Sequence, residues 1–168
     1  MTKNLLGILA ATWGIAGVLL LIGAAMVRLT RVGLAAFDYP LQVHHWAFLV
    51  VFLLFMLISE GYRGFQKSFA PRVASRAREL QLDPRALPAL LAPLFCMGFI
   101  YATRNRMLRS YGLAGMIVIF VLIVRQLPEP WHGLVDVGVA GGLLWGVLAV
   151  IVFTYQAFGA PRHTESGV

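Results

Sequence analysis

The sequence predicts an all-α integral membrane protein, built as a four-helix transmembrane bundle with one additional re-entrant or interfacial helix. Three observations lead there: the scarcity of charge, the four long apolar segments, and the lopsided placement of basic residues along the chain. The 168 residues are 60% hydrophobic and only 12% charged, with a mean hydropathy of +0.80. A soluble domain has about 45–50% apolar and about 25% charged residues. So few charges cannot coat a water-soluble globule of this size, which excludes soluble, disordered, collagen-like and disulfide-scaffold classes. The single cysteine, Cys96, excludes an internal disulfide and a CxxC redox centre. Lys and Arg total 14 against 7 Asp and Glu. In a membrane protein that excess marks segments facing the cytoplasm and its anionic lipids, not a nucleic-acid partner.

The first span is Leu5–Val27. Lys3 ahead of an apolar run imitates a signal peptide, but 23 residues exceed an h-region of about 7–15. At 1.5 Å per residue the run reaches roughly 35 Å, enough to cross with some tilt. The second span is 41–59. A basic loop, 60–85, follows, and within it PRVASRAREL from Pro71 has the spacing of a short amphipathic helix. Val73, Ala77 and Leu80 fall on one side, with Arg72, Arg76 and Glu79 toward the other, the pattern of a helix lying on a membrane surface. Residues 86–102 are apolar but short and carry Pro88 and Pro93. The third span is 111–127 and the fourth 134–158, so that 1–158 forms one transmembrane domain. Residues 159–168 read as a disordered tail.

Basic residues decide between four spans and five. With four, and both termini in the cytoplasm, eleven of the 14 basic residues lie inside and only Arg28, Arg31 and Arg125 outside. If 86–102 also spans, the split falls to eight and six. The positive-inside rule favours four spans, leaving five transmembrane helices as the alternative. The last helix carries Gly138, Gly142 and Gly146 at four-residue steps, and the first carries Gly7, Gly14 and Gly17 among alanines. Small residues let membrane helices approach closely, so the first and last helices are expected to pair through these stripes. Trp13 and Trp145 sit within spans and need indole N–H partners there, while Trp46 and Trp131 read as aromatic-belt anchors at the outer interface.

Four spans gather Asp38, His44, His45, Arg125, Glu129, His132 and Asp136 at the outer face. Histidines and acids in a membrane bundle are a functional-site hypothesis by default. His45 shares a helical face with Phe48, Phe52 and Phe55, a setting in which a haem b would pack on the phenylalanines. His45 and His132 are then its two axial ligands. The His45-Trp46 pair and the helix count resemble the bacterial four-helix cytochromes b561. That family uses more helix histidines to hold two haems; this chain has enough near the membrane for one. Other uses of the cluster are a divalent metal on His44, His45, His132 and Asp136, or a quinone or proton-relay site. His44 and His45 diverge by roughly 100° on one helix and do not suit a single ion. The structural alternative has the histidines at headgroup level, with Asp136 paired to Arg125 or capping its own helix.

At the cytoplasmic face stand Glu60, Arg63, Arg104, Arg106 and Arg109. A Glu60 pair with Arg104 or Arg106 would fasten 86–102 to the bundle, and the arginines would otherwise bind lipid phosphates. No GxSxG, HExxH or phosphate loop occurs. Cys96, between Phe95 and Met97, reads as a packing residue. The expected role is therefore a non-catalytic subunit, or an assembly or scaffold factor, of a larger complex in a bacterial inner membrane. Its partners would be anionic lipid and another membrane protein or a second copy. The alternatives are a single-haem or quinone-interacting electron-transfer protein with its site at the outer face, and a lipid-headgroup enzyme at the cytoplasmic face.

Overall fold

The computed structural model describes residues 2–83, 90–100 and 104–159. The described elements are all helical. They run in the order α1 (Thr2–Ala35), a 3-10 turn (Ala36–Asp38), α2 (Val43–Met56), a π-helical stretch (Leu57–Phe69) and α3 (Ala70–Leu82). After these come α4 (Ala92–Met97), α5 (Arg104–Val124) and α6 (Trp131–Gly159). Three helices are long and apolar enough to cross a membrane: Leu5–Asp38, the unbroken Val43–Leu82, and Trp131–Gly159.

Local chemistry accounts for most of the boundaries. Pro40 cannot continue the helical turn before it, and α2 begins three residues later behind a Gln42 cap. The π-helical ladder gives way to α3 two residues before Pro71. Proline has no N–H to donate and its ring crowds the preceding turn, so an undisturbed α ladder cannot run through it. Helix α4 stops at Gly98, whose φ of 85° is the left-handed conformation that glycine adopts freely.

The basic loop expected at 60–85 is instead helix as far as Leu82. Its low apolar content hides a helix that is held by packing on α6. Gly61 is a contact point: a side chain there would meet the Trp145 ring at 2.9 Å. The expected amphipathic face is present, with Val73, Ala77 and Leu80 almost fully buried. It packs on α1 and α6, not on a membrane surface. Of the segment 86–102, the described part contains the six-residue α4, wedged against α1 where Gly14 meets Ala92 and Cys96 and Gly17 meets Pro93. Residues 84–89 and 101–103, with Arg85, and the tail 160–168 lie outside the described residues.

Contacts along the helices give their relative directions. Trp131 at the start of α6 meets His44 and His45 at the start of α2. Further along, Gly138 meets Phe52, Gly146 meets Phe65, and Arg78 donates to the Ala157 carbonyl at 3.0 Å. The 43–82 helix and α6 are therefore parallel. Helix α1 is antiparallel to both, with Gly7 on the backbone of Gln81 and Gly33 on Gly133 and Val137. Helices α1 and α6 do pack together, as expected, but through Gly33 and Gly133. The Gly138, Gly142 and Gly146 stripe faces Phe52, Glu60 and Phe65 of the 43–82 helix, and Gly7, Gly14 and Gly17 face α3 and α4. Small residues tell that a backbone comes close; they do not name whose.

Helix α5 differs from the rest. Residues 115–123 are all exposed, and among the described residues no other helix packs along its length. Its N-terminal end is tied to the segment after α4, where the Tyr111 ring lies 5.3 Å from that of Phe99.

Candidate functional site

The paired starts of α2 and α6 bring together most of the residues expected at the outer face: His44, His45, Glu129, His132 and Asp136. Pro128 and Pro130 bracket the turn before α6, and the Pro128 carbonyl accepts the Trp131 N–H at 3.0 Å. That places Glu129, His132 and Asp136 at spacings of three and four, on one helical face. Glu129 Oε1 lies 3.5 Å from His132 Nδ1, and Asp136 Oδ2 lies 3.5 Å from His132 Nε2. One imidazole thus bridges two carboxylates, a partly exposed one and one that is 6% exposed. Arg28 of α1 and Arg125 are close enough to act electrostatically on Asp136.

Beside this row stands an aromatic wall. Trp131 stacks on His44 at 5.8 Å and meets His45 edge-on at 4.8 Å and Phe48 at 5.2 Å. Phe48 stacks on Phe52 at 5.4 Å. Trp131 is accordingly part of the cluster and more than a belt anchor. The buried His45 ring belongs to the cap of its own helix: the Gln42 backbone N–H donates to His45 Nδ1 at 3.0 Å.

This arrangement does not suit an axial haem pair. A histidine that ligates through Nε2 ordinarily donates its Nδ1 proton to an acceptor. Here Nδ1 of His45 accepts a hydrogen bond instead, which in the neutral ring leaves the hydrogen on Nε2, and both nitrogens of His132 face carboxylates. The divalent-metal arrangement is not assembled either: among the described residues no group of three or more His, Cys, Asp and Glu is placed to hold an ion. The side chain in contact with Asp136 is His132, at 3.5 Å, while Arg125, the expected partner, acts on it only at longer range. Asp38 and Arg125 are exposed at the rim. At 3.5 Å the two contacts are longer than hydrogen bonds; drawn together, they would link a carboxylate open to solvent, through an imidazole, to a buried carboxylate.

Of the residues expected at the cytoplasmic face, Glu60, Arg63 and Arg104 are described with their side chains, and these three do not converge. Glu60 lies against Gly142 of α6, and its Oε2 is buried with no hydrogen-bond partner among the described residues. Arg63 and Arg104 are exposed, and neither pairs with it; the side chains of Arg106 and Arg109 lie outside the described residues. The residue that fastens α4 is Arg76, expected toward the polar side of its helix, away from Val73, Ala77 and Leu80. At 100° per residue, position 76 borders the buried stripe of 73, 77 and 80, and that spacing was the available signal. Its guanidinium donates to the carbonyls of Phe95 at 2.5 Å and Ile100 at 3.2 Å, and lies 4.4 Å from the Phe95 ring centroid. The tryptophan expectation holds at both positions: Trp13 donates to the Leu90 carbonyl at 3.3 Å and Trp145 to Gln66 Oε1 at 2.9 Å.

Cys96 lies beneath this latch, 1% exposed. Burial pushes its thiol up from 9.0 to about 12, opposed in part by the positive charge of Arg76. The thiol is therefore neither accessible nor ionised near neutrality. The native protein should resist maleimide at pH 8 and react fully once denatured; equal labelling of both states would contradict the burial. The linkage has a sign. Unfolded chains lose this proton above about pH 9 and folded ones do not. The thiol's contribution to stability is therefore complete below pH 9 and lost as pH rises toward 12.

Comparison with protein-family models, with curated proteins and with solved structures finds no match to this chain.

Proposed function

We propose that the chain is a multi-pass protein of a bacterial inner membrane, with four spans and both termini in the cytoplasm. We further propose that it serves as a non-catalytic subunit or assembly factor of a larger membrane complex. The observation that carries this reading is α5, an apolar helix along which no other helix packs among the described residues. Membrane helices associate through close packing, and a helix left unpacked by its own bundle is available to a partner or a second copy.

The helix directions support four spans. If 104–124 is the one crossing between the 43–82 helix and α6, those two must run parallel and α1 antiparallel to them, as they do. A fifth span at 86–102 would reverse α6. The exposed arginines and lysine of the 43–82 helix, Arg63, Lys67 and Arg78, all lie in its second half, toward the proposed cytoplasmic end, where anionic headgroups are available.

Single cysteines in a Cys96→Ala background test both parts. A cysteine at Asn105 should label only from the cytoplasmic side and one at Gln126 only from outside; periplasmic labelling at 105 would reinstate five spans. A photo-crosslinker at Ile119 should join the chain to another polypeptide in native membranes. Crosslinks to lipid alone would defeat the subunit reading.

A second reading rests on the Glu129–His132–Asp136 row beside the Trp131, Phe48 and Phe52 wall: a proton relay serving a quinone at the outer face. A flat quinone would stack on the wall and quench Trp131. Unchanged fluorescence on adding a quinone, with Trp131→Phe as the control, would overturn it.

A further inference from the structure

A shallow, open cavity runs along the exposed flank of α1, its lining drawn from that one helix: Leu20, Gly23, Ala24 and Val27, with Arg28 and Arg31 at one end. The floor is bare: a Cβ added at Gly23 would meet nothing within 4 Å. Neither guanidinium makes a hydrogen bond or ion pair among the described residues. Each presents five N–H donors in a fork that matches phosphate oxygens.

We infer that this flank is a binding site for one anionic phospholipid, with its phosphate on Arg28 and Arg31 and an acyl chain lying along Leu20, Gly23 and Val27. The lining starts at Ala16, and from there to Arg31 the helix rises about 22 Å. That is the depth of one leaflet, half of a bilayer about 40–45 Å thick with its headgroups. The order of groups, apolar toward the bilayer centre and paired cations at its edge, is that of the lipid itself. A zwitterionic lipid carries a second charge that opposes the arginines, and a soluble phosphate leaves the apolar floor unfilled. The inference rests on the membrane reading above.

The full chain in mild detergent, offered phosphatidylglycerol, phosphatidylcholine with the same acyl chains, or glycerophosphate, tests it by native mass spectrometry. Phosphatidylglycerol should be retained over phosphatidylcholine. The Arg28→Gln, Arg31→Gln double variant should weaken retention about 25-fold, at about fivefold for each basic residue near an anionic lipid. Gly23→Leu, which fills the cavity without touching a neighbour, should weaken it as well. Equal retention of the two lipids, indifference to both variants, or displacement by glycerophosphate alone would each overturn the site. So would a Gly23→Cys crosslink to α5 or to a second copy in the presence of the lipid. Flotation of the wild type with vesicles of phosphatidylcholine alone tests insertion separately: failure there defeats the membrane reading, whereas flotation without lipid preference defeats only the site.

Discussion

Gly7→Leu should dismantle the crossing of α1 and α3. A Cβ at position 7 collides with the backbone oxygen of Gln81 and comes within 3.0 Å of its carbonyl carbon. Backbone atoms cannot rotate aside as a side-chain tip does, so α3 must move away from α1. That movement uncovers Ala10, Ala11, Val73, Ala77 and Leu80, which share one core. Overpacking of a tight contact costs about 1–3 kcal/mol, occasionally more, and this site belongs at the upper end. Gly23→Leu, placed in open space on the same helix, is the internal control. Thermal unfolding in detergent, read by loss of the monodisperse chromatographic peak, should fall by many degrees for the first and little for the second. Equal behaviour of the two would show that α1 does not approach α3 as closely as described.

Arg76→Met should release α4. The substitution keeps an unbranched apolar stem and removes the donors to Phe95 and Ile100 and the charge over the Phe95 ring. Charge-assisted hydrogen bonds of this kind, together with the ring contact, contribute about 2–4 kcal/mol. The expected consequence is local. Helix α4 loosens from Gly14 and Gly17, and Cys96 becomes reactive to maleimide at pH 8 while α1, the 43–82 helix and α6 stay folded. Arg76→Lys should rescue only in part, because the lysine Nζ ends one bond short of the Nη1 that donates to both carbonyls. A Cys96 that stays protected in Arg76→Met would show that apolar packing alone holds α4.

The features that the sequence reveals, and those it conceals, divide along physical lines. Long apolar runs are visible in any chain, so the helices at 5–27 and 134–158 are found, though α1 continues to Ala35 and α6 starts at Trp131. The amphipathic side of α3 follows from the helical period. The helix through 57–69 does not, because it is held by tertiary contacts of Gly61 and Phe65 with α6 that no local pattern encodes. In the same way, glycine spacing marks the close approaches but not the facing helix. His132, Asp136 and Glu129 are legible as one cluster because their spacing is helical. The role of His45 is not, since an N–H donated by Gln42 depends on how the chain turns after Pro40. Arg76 was misplaced because a charge beside an apolar stripe is assumed to turn outward. Buried carbonyls at Phe95 and Ile100 reverse that assumption.

The central position of α6 has a consequence for how the protein is made. The 43–82 helix and α1 both pack on α6, which follows them in the chain. These contacts join positions far apart in sequence, so they cannot form while only the earlier helices are present. Helices α1 and α3 can meet without α6, but Phe52, Phe65 and the backbone at Gly33 find their partners only in residues 131–159. Assembly of the described helices therefore waits on the segment that is made after them.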